Sequence, residues 1–116
     1  MRWQKTWPMK RGEIWWVEFD PAVGSEIRKT CPVVIISNDA ANRNLSRVVV
    51  LPLTSNSGRR YPGEALVTVD GKPAKAMADQ IMAADKSRLK SQLGNLSKAD
   101  MLAVEDAIQV HLGMPK

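Results

Sequence analysis

At 116 residues the chain suits one domain built around a single hydrophobic core. Hydrophobic residues at 44% and charged residues at 25% exclude a disordered chain, and one cysteine excludes an internal disulfide and fits a reducing, cytoplasmic compartment. The net charge of +5 suggests a polyanionic partner, although four of the positive charges fall in the first eleven residues, where a basic tail would account for them.

Met1 to Pro8 lack the apolar core of a signal peptide and read as an N-terminal tail or an appended remnant. Residues 9–116 read as one domain, and no apolar run approaches membrane-spanning length. Gly12 to Phe19 alternates with period two and predicts a strand, ended by Asp20-Pro21. Pro21 to Thr30 is a polar loop. Pro32 to Ser37 carries the β-branched run Val33-Val34-Ile35-Ile36 of a buried strand. Asn38 to Ser46 has turn chemistry, and Val48 to Leu53 is a third strand. Thr54 to Gly63 is the most loop-like stretch. Leu66 to Val69 and Lys75 to Ala78 flank Asp70-Gly71, a favourable hairpin turn. Asp79 to Leu93 is ambiguous, with a short helix over Asp85 to Lys90.

The last helix starts at Ser97, with Asp100 placed close to a capping box and Leu96 and Met101 placed for a hydrophobic staple. Met101, Val104, Ile108 and Leu112 repeat at helical spacing, and Gly113 and Pro115 stop the helix. Five or so strands followed by one helix predict a mainly β fold: a small, strongly curved antiparallel sheet or barrel with the C-terminal helix against it.

Few residues carry chemistry. There is no Cys-x-x-Cys or His-x-x-x-His, so neither a metal nor another cofactor is implied. No glycine-rich phosphate loop is present. His111, the lone histidine, lies at the edge of the final apolar stripe and reads as partly buried and structural. What remains is loop-borne. Arg28 and Lys29 sit in one loop and Arg59 and Arg60 in another, with Thr54, Ser55, Asn56 and Ser57 just before the second pair. Arginine and lysine neutralise phosphates, while hydroxyls and amides reach base edges or phosphate oxygens. The same residues would also serve as solvated turns.

Three stretches sharpen that choice. Lys10-Arg11-Gly12-Glu13-Ile14-Trp15, then Asp20-Pro21 and Gly24-Ser25-Glu26, resemble the opening of MazF/PemK-type toxins. A Pro-Val-Val strand and Ser37-Asn38-Asp39 follow at the family's distance. Leu53-Thr54, Tyr61-Pro62, Asp79-Gln80-Ile81 and Asp85-Lys86-Ser87-Arg88-Leu89 then recur in order, so the resemblance covers roughly residues 9 to 113.

The resemblance implies an SH3-like barrel of the MazF/CcdB type, a homodimer, and metal-independent, sequence-selective cleavage of single-stranded RNA to 2′,3′-cyclic phosphate and 5′-hydroxyl ends. It implies an antitoxin partner whose acidic, initially disordered tail fills the RNA groove. It places Thr54 at the scissile phosphate with Ser55 beside it. Ser25, Glu26, Arg28, Lys29, Asn56, Arg59, Arg60 and Gln80 would contact RNA. A family arginine stands directly before the proline that opens the second strand, and here that position is Cys31. Three explanations stay open: a disabling substitution, a charge supplied instead by Arg28 or Lys29, or a redox role for the thiol. Met82 stands where the family commonly has a basic residue. The same barrel also serves toxins that bind gyrase and cut nothing, so a non-catalytic binding module is the alternative.

Overall fold

The alternating run Glu13–Glu18 forms strand β1 in the computed structural model of the chain, which describes residues 9–19, 30–56 and 58–115. Its period-two pattern divides the sequence between two cores: Trp15 and Val17 enter one and Ile14 the other. The remaining strands are β2 (Thr30–Ile35), β3 (Arg47–Thr54), β4 (Glu64–Val69), β5 (Lys72–Met77), β6 (Met82–Asp85) and β7 (Leu89–Asn95). Every pairing is antiparallel.

Strand β3 is the hub. β2 lies on one edge, while the other edge holds β6 along Arg47 to Val50 and β5 at Leu53 and Thr54. Pro52 falls between those two partners, where a strand can lack an N–H donor.

Taken from β6 through β3, β2 and β1, the sheet ends at β7. Yet β6 and β7 are joined by only three residues, the 3₁₀ turn Lys86–Arg88. So short a link brings the two ends of the sheet together, and the sheet curls as the sequence predicts. Trp15, Val17, Val33, Ile35, Val48, Val50, Ala84 and Leu89 fill its interior.

The second core lies under the C-terminal helix. The β4–β5 hairpin extends from β3, and helix α2 (Lys98–Leu112) covers it. Val104 and Ala107 of α2 pack with Ile14, Val34, Leu51, Leu53, Ala65, Ala74 and Ala76. The small alanine side chains let the helix approach the hairpin closely. Ser97 caps α2 by accepting from the Asp100 N–H at 3.0 Å, and Gly113 ends it at φ 68°. Leu96 and Met101 join the same cluster, as expected of a staple.

Several expectations change. Among the described residues seven strands form instead of about five, because β6 is short and β7 is a polar edge strand with Lys90, Ser91 and Gln92 exposed. The turn expected over Asn38 to Ser46 contains helix α1 (Asp39–Asn44), whose cap is Asn38 accepting from Ala41 N–H at 2.8 Å. The helix expected over Asp85 to Lys90 shrinks to the 3₁₀ turn, capped by Asp85 through Ser87 N–H at 3.0 Å. Those bonds to Ser87 hold the Asp85 carboxyl below its ordinary range. The Asp100 carboxylate does not return to its own cap; it accepts from Thr68 N–H at 2.9 Å and ties the helix to β4. Leu112 is 50% exposed, so the apolar stripe stops a turn early. His111 is exposed, not partly buried, and its ring lies beside Gly63.

The β4–β5 turn matches its sequence signal. Asp70 has φ 55° and Gly71 φ 78°, the two positive values of a type I′ turn. No atom lies within 4 Å of a Cβ built on Gly71, so an alanine there meets backbone strain alone. Gly71→Ala should therefore destabilise the fold by roughly 1 kcal/mol, read as a lower urea midpoint at unchanged slope.

Candidate functional site

The register of β2 against β3 sets the candidate catalytic positions beside each other. Val33 faces Pro52, Val34 faces Leu51 and Ile35 faces Val50. The same register carried two residues further places Cys31 level with Thr54. By strand alternation Cys31 shares a face with Val33 and Ile35, and Thr54 with Val50 and Pro52. Val33, Ile35 and Val50 line the curled interior, so Cys31 and Thr54 stand at its mouth. Both are half-buried, and Cys31 is a free thiol paired through its backbone with Val17 of β1.

Thr54 is the last residue of β3, and its Oγ1 accepts from Asn56 N–H at 3.2 Å. This local bond orients the hydroxyl and leaves its own proton to donate elsewhere. Ser55, Asn56, Arg59 and Arg60 are exposed around it. The Arg59 guanidinium lies over the Tyr61 ring, 5.7 Å from its centroid, which orders an otherwise flexible side chain. Arg60 Nη1 reaches the Glu64 carbonyl at 3.5 Å.

Gln80 is exposed on the 3₁₀ turn Ala78–Gln80, which links β5 to β6 and so runs alongside β3. Ala78 N–H donates to the Gly63 carbonyl at 3.0 Å and ties that turn to the end of the arginine loop. The Gln80 amide donates to Met77 Sδ at 3.5 Å. Thr54, the 55–63 loop and Gln80 thus border one region of the molecule. Ser25, Glu26, Arg28, Lys29 and Ser57 lie outside the described residues. Among the described residues, no group of three or more His, Cys, Asp or Glu side chains could hold a metal ion. Nor is any described helix long and apolar enough to cross a membrane.

Sequence reasoning missed Lys75. It is the Cα partner of Thr54 across β3 and β5, and it is only 6% exposed. Its ammonium donates to the Arg59 carbonyl at 2.6 Å and pairs with Glu64 Oε1 at 3.1 Å. The Glu64 carboxylate also accepts from Tyr61 N–H at 2.9 Å; that bond first, then Lys75, hold the carboxyl below its ordinary range. A signal existed: a lysine flanked by Ala74 and Ala76 in a strand is an unusual buried charge.

Other residues that carry the resemblance hold the fold together. Arg11 N–H donates to Asp39 Oδ1 at 2.8 Å, its Nε to the Ile36 carbonyl at 2.9 Å, and its Nη2 pairs with Glu105 Oε2 at 2.9 Å. Gly12 adopts φ 94°, and Glu13 accepts from the Trp15 indole at 2.9 Å. Asn42 is buried; Ser37 Oγ donates to its Oδ1 at 2.5 Å, and its Nδ2 donates to the Ser37 carbonyl at 2.9 Å. Lys86 Nζ donates to the Asn42 carbonyl, and burial lowers the lysine's pKa.

The comparisons agree with this architecture. Residues 10–112 match the family model described as PemK-like, MazF-like toxin of type II toxin–antitoxin system. The chain is 38% identical over 115 residues to endoribonuclease MazF9 of Mycobacterium tuberculosis, covering 91% of this chain and 98% of that one. A mycobacterial endoribonuclease solved in complex with its cognate antitoxin superposes with a TM-score of 0.75 at 29% identity, covering 92% of this chain and 97% of that one. A MazE–MazF complex from Deinococcus radiodurans gives a TM-score of 0.80 at 25% identity, covering 94% and 99%.

Proposed function

Because this chain belongs to the PemK-like, MazF-like toxin family of type II toxin–antitoxin systems, we propose that it is the endoribonuclease toxin of such a pair, acting on single-stranded RNA in the cytoplasm. The observation that carries the reading is the register that sets position 31 level with Thr54 at the mouth of the curled sheet, beside exposed Arg59 and Arg60. The reaction is a transfer within the RNA. The ribose 2′-oxygen forms a bond to the adjacent phosphorus, and the bond from phosphorus to the 5′-oxygen breaks. The 2′ proton is lost and the 5′-oxygen gains one. Products are a 2′,3′-cyclic phosphate and a 5′-hydroxyl, and no metal is required.

Thr54 donates its hydroxyl proton to a phosphoryl oxygen of the scissile group. A cation at position 31 would neutralise the charge that builds on the phosphorane. Arg59 and Arg60 contact flanking phosphates and fix the strand, while Asn56 and Gln80 contact bases or sugar. Ser55 stands next to Thr54 as a second hydroxyl. We assign further RNA contacts to Ser25, Glu26, Arg28 and Lys29. The working form is a homodimer, held inactive by an antitoxin whose acidic, disordered tail occupies the RNA groove through charge.

Cys31 favours a second reading. A thiol lacks the permanent charge and the five-donor fork of arginine, so a chain that binds its target without cutting fits this position. Binding of a mixed-sequence single-stranded RNA across a salt series tests the shared premise. Affinity should fall linearly with salt on logarithmic axes, and Arg59→Ala with Arg60→Ala should flatten the slope by roughly 0.7 per arginine. No salt-dependent RNA binding would exclude an RNA target and bring forward a toxin that binds a protein such as gyrase.

A further inference from the structure

The buried ammonium of Lys75 joins the strand that pairs with Thr54 to the turn that carries Arg59. We propose that Lys75 is a positioning residue: from the strand paired with Thr54 it holds the Arg59–Tyr61 turn by its carbonyl, and so fixes where the loop presents its two arginines to RNA. The inference rests on the ribonuclease reading and deepens it.

The geometry gives Lys75 two anchors with different jobs. Its backbone is locked to Thr54 in the β3–β5 ladder, and its Nζ lies 2.6 Å from the Arg59 carbonyl oxygen. The partner carboxylate of Glu64, 3.1 Å away, neutralises the ammonium and at the same time receives Tyr61 N–H at 2.9 Å. The same turn is therefore held at the Arg59 carbonyl by Lys75, at the Tyr61 N–H by the Glu64 carboxylate, and at the Tyr61 carbonyl by the Glu64 N–H at 2.9 Å. Arg59 in turn stacks on Tyr61, so the position of the turn sets the position of the guanidinium.

Stability alone does not require this charge. An apolar side chain between Ala74 and Ala76 would pack the hairpin as well, and buried ion pairs are commonly replaceable by hydrophobic residues without loss of stability. What an apolar side chain cannot do is donate to the Arg59 carbonyl. A loop held in place before RNA arrives loses less conformational freedom on binding. Flanking phosphate contacts are made alike in the ground and transition states, so their loss should appear in KM and not in kcat.

The test compares the parent with Lys75→Met, Lys75→Arg and the double variant Lys75→Met/Glu64→Gln. The double variant leaves no unpaired buried charge and keeps an amide oxygen for Tyr61 N–H. Lys75→Met should lose about tenfold in affinity for a single-stranded RNA. The double variant should match the parent's Tm and still bind weakly. In the Cys31→Arg background, KM should rise about tenfold with kcat held within about threefold, and Lys75→Arg should recover most of the loss. Unchanged affinity in Lys75→Met, with the parent binding RNA, overturns the proposal alone. So does a loss that follows Tm across all variants and is not recovered by Lys75→Arg. A parent that binds no RNA sinks the ribonuclease reading and this proposal together.

Discussion

Cys31→Arg should raise kcat/KM for single-stranded RNA, measured in EDTA, by at least ~10²-fold over the parent chain. The expectation comes from what the reaction needs at that point. In the proposed reaction, attack by the 2′-oxygen would build negative charge on the phosphorane beside half-buried position 31. An arginine supplies a fixed charge and a planar fork of donors; a thiol supplies neither. Residue 31 is half-buried near the start of β2, so the long stem of an arginine there is expected to run outward and keep its guanidinium at the mouth. Products mapped to 2′,3′-cyclic phosphate and 5′-hydroxyl ends would establish the chemistry together with the rate. Equal cleavage by both forms would mean that another cation, Arg28 or Lys29, serves the phosphorane. Cleavage by neither, in protein that binds RNA, would assign this chain to the non-catalytic reading.

In the Cys31→Arg background, Thr54→Val should lower kcat by ~10²–10³ while RNA affinity changes little. Valine copies the shape of threonine but removes both the donated proton and the acceptor for Asn56 N–H. Thr54→Ser keeps the hydroxyl and should retain kcat within about tenfold of the Thr54 form. That comparison separates chemistry from packing, since serine loses the methyl that valine keeps. Should Thr54→Val leave kcat unchanged, Ser55 becomes the hydroxyl to examine. If instead kcat, KM and Tm all worsen together, the threonine is structural and the phosphate is held by other groups.

Much of the molecule was written into local patterns. The alternation of Glu13 to Glu18, the β-branched run from Val33 to Ile36 and the Asp70-Gly71 turn each name their own structure, because period, bulk and positive φ are properties of a few neighbouring residues. The C-terminal helix was equally plain from Ser97 to Gly113. β6 and β7 were not legible. Four residues are too few to show a period, and Lys90, Ser91 and Gln92 on an edge strand have no buried face to mark them. Helix α1 was hidden as well. Its six residues are too few to show a period, and Asn42 is held both by Ser37 just before the cap and by Lys86 from far along the chain.

The candidate site divides along the same line. By itself the sequence determined which residue types are available: a threonine ending a strand, a pair of arginines in a loop, and a cysteine before a proline. It also determined the family, since an ordered series of short motifs is a property of the chain alone. It did not say what each motif residue does. Arg11, Glu13, Ser37 and Asp39 belong to the series, yet they hold the fold together: Arg11 bonds to Asp39, Ile36 and Glu105, Glu13 to Trp15, and Ser37 to Asn42. Only the tertiary structure set Cys31 level with Thr54, because register between two strands depends on which faces are buried against the rest of the molecule. Lys75 makes the same point most sharply. In the sequence it is one of 17 lysines and arginines; folding pairs it with Thr54, buries it, and leaves its ammonium a carboxylate and one loop carbonyl to hold.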